Sequence, residues 1–163
     1  MNIINQTVEV LCFTIENRQF AIPVPVVDTV IRAVAVLPVP NAPEVIHGIF
    51  DFHGLVLPVI NLRHRLNLPD QPVRPTDVFI IADTNKRKLA LVADRADGIV
   101  SSKVSQVADA LDIDPAFESE AILLRDDGIV LIYDIEKFLS ASDEMQWNQA
   151  LEKQYEKNKP DPL

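Results

Sequence analysis

Glycine and cysteine are scarce in this chain of 163 residues, and each scarcity argues against a class of function. Four glycines leave few positions where the backbone could closely approach a phosphate or a cofactor. The sequence contains neither a glycine-rich phosphate loop nor a Gly-x-Ser-x-Gly motif. The single cysteine, Cys12, cannot form an internal disulfide, which fits a reducing compartment. We therefore expect a cytoplasmic protein that is not an enzyme and holds no cofactor.

Long apolar runs and positive charge are also lacking. Prolines and charged residues interrupt every apolar stretch before it reaches the roughly 18 residues of a membrane span. The segment MNIINQTVEV has no basic region followed by an apolar one, so it does not resemble an export signal. A net charge of -9 would repel a phosphate backbone. We expect neither insertion into a membrane nor a nucleic-acid partner.

Short aliphatic segments separated by turn residues are what the chain has in abundance. They fall into two groups on either side of a proline-rich linker, residues 67–76. Several are apolar at consecutive positions, as in FIIA and IVLI, which indicates strands buried on both faces. The pattern predicts a mostly β chain of two packed sheets or small barrels, with strand sets at about 8–66 and 77–134. The predicted strands are 8–15, 18–22, 33–37, 46–52, 55–60, 77–82, 88–93, 98–104, 120–125 and 128–133.

Helical patterns are few and short. Asn61 and Asp134 are good N-caps for a helical turn after each strand set. Residues 25–32 begin with a proline and carry an apolar stripe at i, i+1, i+4 and i+5, which predicts a short helix. The C-terminal tail, 141–163, predicts a separate helix capped by Ser142 and ending before Pro160. Its stripe of Trp147, Leu151 and Tyr155 would pack on the body or on a partner.

All three histidines lie in one stretch of the chain, residues 47–66. A metal-dependent hydrolase using His47, Asp51, His53 and His64 is therefore the alternative from the enzyme class. Their spacing matches neither the i, i+4 pair of a helical zinc enzyme nor the close spacing of a structural zinc site. If residues 46–52 form a strand, Gly54 begins the turn that follows and leaves His53 at an exposed corner. We accordingly predict no metal site and no catalytic residues.

The order of these segments resembles the CheW family of chemotaxis coupling proteins. The resemblance runs from about Val8 to Ser140 and is most specific from Leu37 to Leu66, where the family's spaced prolines and glycines are kept. It is carried by FTIENRQFAIPVPVVDTVIR, LPVPNAPEVIHGIFDFHGLVLPVINLRHRL, LALVADRADGIV and DDGIVLIYDIEKFL. It implies one CheW-like domain, residues 1–140, built of two five-stranded SH3-like β-barrels on a shared core. Short helices and the C-terminal helix would complete the fold.

The resemblance also implies a function and a set of interface residues. It implies a non-catalytic adaptor that joins a chemoreceptor's cytoplasmic tip to the regulatory domain of a CheA histidine kinase, in receptor arrays at the membrane. A receptor-binding groove would be lined by Val27, Thr29, Val30, Ile31, His53, Val92 and Ala96. A kinase interface would include Asn41, Pro43, Ile46 and Ile49.

Two positions depart from the family's usual residues. Where the family usually reads NLRG this chain has DFHG at 51–54, and where it usually has glutamate in 25–32 this chain has Thr29. An arginine and a glutamate are thus both absent. Loss of one member alone would leave an unpaired charge, so the joint change predicts that Thr29 and His53 lie close together. Because these residues differ from the family's usual ones, the alternative function is a specialised CheW-like regulator of a kinase array outside chemotaxis.

Overall fold

The computed structural model describes residues 7–103, 107–108, 121–125 and 128–157, and its elements are mostly strands. Single turns of 3-10 helix follow β2 and β11, at Val24–Val26 and Ile135–Lys137. The helices are α1 (Leu62–Arg65) and α2 (Ala141–Lys157). The strands are β1 (Thr7–Ile15), β2 (Arg18–Pro23), β3 (Val27–Arg32), β4 (Ile46–Phe52), β5 (Leu55–Ile60), β6 (Val78–Asp83), β7 (Lys88–Ala93), β8 (Arg95–Lys103), β9 (Val107–Ala108), β10 (Ala121–Arg125) and β11 (Gly128–Ile132).

The strands form two sheets packed face to face. The first sheet has the order β8, β1, β2, β11, β10, β9, and the second has the order β3, β6, β7, β5, β4. Neighbouring strands are antiparallel except for the parallel pairs β11 with β2 and β5 with β7. The mostly β fold with two packed sheets is therefore confirmed, and the two-residue β9 adds a sixth strand to the first sheet.

Apolar side chains form three layers, because most strands are buried on both faces. The shared core between the sheets contains Leu11 and Phe13 of the first sheet with Ile80 and Leu91 of the second. A second cluster, around Cys12 and Val130, fills the outer side of the first sheet. The third, around Phe50 and Phe79, fills the outer side of the second sheet. The consecutive apolar residues predicted an apolar interior for each sheet, and both are present. A larger core shared by the two sheets lies between them.

The predicted division of the strand sets along the chain is wrong. Each set supplies strands to both sheets: the first sheet takes β1, β2 and β8 to β11, and the second takes β3 to β7. The chain crosses between the sheets after β2 and again after β7. The parallel pairs join strands far apart in sequence, and a strand's own pattern does not specify its partner.

Two predicted elements before β4 also differ in the structure. Residues 25–32 form one 3-10 turn and strand β3 rather than a helix. Residues 33–37 form no strand; Leu37 forms an isolated bridge with Ile49, through backbone hydrogen bonds of 2.8 and 2.9 Å. Prolines at 38 and 40 directly follow the segment and lack the amide hydrogens that a continued ladder needs.

The helix α2 and its packing on the body are confirmed, but its cap differs from the prediction. Ser140, not Ser142, is the N-cap: its Oγ accepts from the amide of Asp143 at 3.0 Å, and its own amide donates to the Asp143 carboxylate at 2.9 Å. Trp147 and Ala150 are each 1% exposed and belong to the shared core. A domain boundary at 140 therefore cuts through the core, because α2 packs into it.

Candidate functional site

The edge strands β3 and β8 each carry apolar side chains that face the layer between the two sheets, and we call these residues the groove. Val30 pairs with Ile80 and so faces the shared core from β3, yet it is 37% exposed. Ile99 pairs with Leu11 and faces the same core from β8, where it is 62% exposed. The intersheet layer thus ends at these two strands in exposed apolar side chains. Such an open edge can receive an apolar partner.

A β-bulge on each side of the groove determines which residues face it. In β3 the register shifts between Val27 and Thr29, so Val27 and Val30 both face the shared core although they are three residues apart. In β8 the partners of Cys12 and Phe13 are Gly98 and Ala96, which places Ala96 with Ile99 on the core side. Val27, Val30 and Ala96 therefore all face the intersheet layer, and their place in one receptor-binding groove stays a prediction.

The other predicted receptor-facing residues of the strands lie on a different layer. Thr29 pairs with Ile81, and Ile31 pairs with Phe79, so both side chains point to the interior of the second sheet. Val92, partly buried, packs against that same cluster. The helical stripe that grouped Val30 with Ile31 is wrong, because a strand sends adjacent residues to opposite faces.

His53 occupies the tight turn between β4 and β5. It and Gly54 have φ values of +52° and +88°, and the Asp51 carboxylate accepts a hydrogen bond of 3.0 Å from the Gly54 amide. The exposed imidazole contacts the Phe52 ring edge-on at 4.5 Å. Thr29 lies on β3, at the opposite edge of the same sheet from β4. The expected proximity of Thr29 to His53 stays a prediction.

A charge network fixes the crossover from β7 to β8 at the base of the groove. Arg63 of α1, only 8% exposed, donates to Glu16 in the β1–β2 turn and to Asp94 at 2.9 Å. Burial opposes the positive charge, but the hydrogen bonds to Glu16 and Asp94 outweigh it and raise the pKa of Arg63. Arg74 joins Asp94 at 3.2 Å and Asp77 at 3.1 Å. These ion pairs hold the start of β8 against the second sheet and so set the position of the groove's β8 wall.

The predicted kinase-facing residues are mostly inside the molecule. Ile46 is 6% exposed in the shared core, Ile49 packs against that core, and Pro43 is buried. Only Asn41 is exposed, and its carbonyl accepts a hydrogen bond of 3.1 Å from Gln146 of α2. Ile46 and Ile49 are therefore core residues rather than an open interface. Pro43 lines the cleft described next.

A second surface runs along the opposite part of the intersheet face. Leu124 of β10 and Ile129 of β11 are direct cross-strand neighbours and are 52% and 58% exposed. Ile129 shares its face with Leu131, which forms the floor of a cleft of about 690 Å³. Further lining residues include Phe20, Tyr133 and Phe138 on the floor, Pro43, Glu44 and Val45 on one wall, and Asp143 and Gln146 of α2. Sequence reasoning missed this surface, because Leu124 and Ile129 look like core residues in an apolar strand.

The three histidines do not converge. His47 is the extra residue of a bulge in β4, His53 lies in the turn, and His64 of α1 faces Glu44 at 3.6 Å. Within the part of the chain that the structure describes, no three His, Cys, Asp or Glu side chains are grouped as metal ligands would be. The hydrolase alternative therefore has no ligand set among the described residues.

Stability should depend on pH through His47. Burial lowers the pKa of His47, and the nearby Asp70 and Asp77 carboxylates only partly oppose that shift. The folded protein then binds fewer protons than the unfolded chain as the pH falls past 6.5, so the free energy of unfolding decreases on acidification. We expect the wild type to lose more denaturant resistance between pH 7.5 and 5.5 than His47→Gln. Parallel losses in the two proteins would show that His47 does not contribute.

No helix among the described residues is both long and apolar enough to cross a membrane. The two exposed apolar surfaces are candidate sites for protein partners. They lie on opposite sides of β1 and β2 in the first sheet, three strand spacings or about 14 Å apart. The residues of the two surfaces therefore do not overlap.

Comparisons with known proteins identify the family. The family model described as "CheW-like domain" matches residues 9–143. The chain is 27% identical over 133 residues to the chemotaxis protein CheW of Thermotoga maritima, covering 80% of this chain and 87% of that protein. It is 25% identical over 138 residues to CheW of Klebsiella aerogenes, covering 83% of each. The scaffolding protein TtCheW of Thermoanaerobacter tengcongensis has the same fold, with a TM-score of 0.77 at 18% identity over 85% of this chain and 96% of that one. This chain belongs to the CheW family.

Proposed function

We propose that this chain is a non-catalytic adaptor that couples chemoreceptor cytoplasmic tips to the regulatory domain of a CheA histidine kinase. The observation that supports it is the pair of separate apolar surfaces, one at Val30 and Ile99 and the other at Leu124 and Ile129. An adaptor needs two docking sites that do not overlap, whereas catalysis needs convergent reactive groups. Membership of a family whose relatives are named chemotaxis and scaffolding proteins agrees with this role.

The receptor is proposed to bind at the groove between β3 and β8. Its residues face the apolar edge of the shared core, and an apolar surface of this kind suits the apolar stripe of an amphipathic helix. Charged residues border it: Asp28 on β3 pairs with Lys88 at 2.6 Å, and Asp97 on β8 pairs with Arg95 at 2.7 Å. The kinase domain is proposed to bind the surface formed by Leu124, Ile129 and the cleft. A cytoplasmic protein recruited to receptor arrays follows from these two interactions.

A second candidate function is a specialised regulator that binds the kinase without a receptor. The observation that favours it is the altered pair of positions, Thr29 and the turn at 51–54, where the usual glutamate and arginine are missing. These changes leave the Leu124–Ile129 surface untouched and remove two charges that the family usually carries. The kinase-only reading thus predicts one functional surface instead of two.

Isothermal titration calorimetry separates these functions. The wild-type chain is titrated with a cognate CheA regulatory domain and with a receptor tip fragment, in the presence of a chelator. The adaptor function predicts micromolar binding to each partner, and prior saturation with one should leave binding of the other in place. Binding to the kinase domain alone would replace the adaptor proposal with the regulator, and binding to neither would overturn both.

A further inference from the structure

The helix α2 is attached to the body by a short set of contacts near its N-terminal half. Glu144 pairs with Arg87 at 2.5 Å, Gln146 donates to the Asn41 carbonyl at 3.1 Å, and Trp147 is buried in the shared core. Residues 152–155 are mostly solvent-facing, with Tyr155 71% exposed. The family model's match ends at residue 143, so most of α2 lies beyond the region that matches it.

Two buried donors lack partners, and both lie where α2 docks. Among the described residues, the buried side-chain nitrogens without a hydrogen bond are Arg87 Nε and Trp147 Nε1. A buried donor without an acceptor destabilises the state that buries it, because water would satisfy it in the open state. The docked position of α2 is therefore weakened at Arg87 and Trp147, two of the side chains in its contact with the body. An element of this kind opens at a lower free-energy cost than the surrounding sheets.

The docked helix also restricts the surface that the kinase domain is proposed to use. Asp143 and Gln146 of α2 form part of the lining of the cleft, across from Pro43 and Val45. The hydrogen bond from Gln146 occupies the exposed carbonyl of Asn41, and Trp147 covers the shared core that Val45 belongs to. Departure of α2 would widen the cleft and expose the 41–46 segment on the same side of the molecule as Leu124 and Ile129, which are already exposed.

We propose that α2 is a detachable helix that competes with the kinase domain for this surface. This inference rests on the proposed function, since it assigns the kinase to the cleft. In the free protein α2 is docked and only a minor population is open. The kinase domain binds only the open form. Its apparent affinity is therefore its affinity for that form multiplied by the small fraction of molecules that are open.

The single tryptophan makes the opening directly measurable, since Trp147 is the only one in the chain. Kinase binding should red-shift its emission and increase its quenching by acrylamide, whereas receptor binding should change neither. Native-state hydrogen exchange gives a reading that needs no partner. The α2 amides should exchange through a local opening, much faster than the amides of β6 and β7.

A matched pair of variants tests the competition. Glu144→Gln removes the ion pair with Arg87, and Glu152→Gln removes the same charge from an exposed position of the same helix. Glu144→Gln should raise affinity for the kinase domain roughly fivefold and speed α2 exchange, because it increases the open population. Glu152→Gln should match the wild type in both.

The outcomes separate this inference from the proposed function. If the kinase domain binds the wild type but both variants bind equally and Trp147 stays protected, the competition is overturned and the adaptor proposal stands. Exchange of α2 only at the rate of β6 and β7 would likewise overturn the detachable helix. If neither the wild type nor either variant binds the kinase domain, the competition fails together with the proposed function, whatever the exchange of α2 shows.

Discussion

Gly48→Ala should lower the free energy of unfolding by about 3 kcal/mol or more. A Cβ at this position would overlap the carbonyl oxygen of Leu37 and lie 2.8 Å from Cγ1 of Val36. The clash is with backbone that is itself fixed by the two Leu37–Ile49 hydrogen bonds, so a side-chain rotation cannot relieve it. The φ of +155° adds strain for any residue with a Cβ. Equilibrium denaturation followed by circular dichroism measures the loss.

Gly54→Ala is the matched control, because Gly54 also has a positive φ but nothing lies within 4 Å of its added Cβ. It should cost roughly 1 kcal/mol, the strain of the turn without a clash. Equal losses in the two variants would contradict the view that contact with the 36–37 segment makes Gly48 necessary. Since that segment joins β3 to the 41–46 wall of the cleft, Gly48→Ala should also weaken kinase binding.

The strands that the sequence predicted best are those enclosed by turn residues. The bounds of β4, β5 and β7 match the prediction to the residue, and each is flanked by glycine, asparagine or aspartate within a few positions. Local chemistry ends such a strand, so it can be recognised without its partners. Asn61 is similar: its side chain accepts from the His64 amide and starts α1 as expected.

The groove could not be predicted because bulges determine its residues. A bulge in β3 places Val27 and Val30 on one face, and this three-residue spacing imitates a helix, which explains the wrong prediction for 25–32. A bulge opposite Phe13 does the same for Ala96 and Ile99. Another bulge, at His47, removes the even alternation that would have put His47 and His53 on one face. A bulge depends on pairing with a distant strand, and a single sequence carries no signal for it.

The exposed apolar surfaces could not be predicted from the sequence either, because residue type does not show whether an apolar side chain is buried. Ile99 pairs with the buried Leu11 and Leu124 follows the buried Leu123, and nothing in their residue type distinguishes them from core. Their exposure comes from position, since Ile99 is on an edge strand and Leu124 lies near the end of a hairpin. Ile46 shows the converse, because a residue assigned to an interface by resemblance lies in the shared core.

Two charge substitutions should separate the two binding surfaces. Ile99→Asp places a carboxylate in the groove between β3 and β8, where a docked receptor helix would have to desolvate it. We expect at least about a tenfold loss of affinity for the receptor tip, which corresponds to roughly 1.4 kcal/mol. Leu124→Asp should cause a similar loss of affinity for the kinase domain. Each variant should keep wild-type affinity for the other partner.

The pair is matched, so each variant is the control for the other. Both positions are more than half exposed on strands of the same sheet, and both changes add one negative charge to a chain of net charge -9. A general electrostatic or folding effect would therefore weaken both interactions in both variants. Calorimetry of the four combinations decides the matter. Loss of receptor binding in Ile99→Asp alone, with loss of kinase binding in Leu124→Asp alone, requires two separate sites, because a single shared surface would respond to both substitutions for either partner.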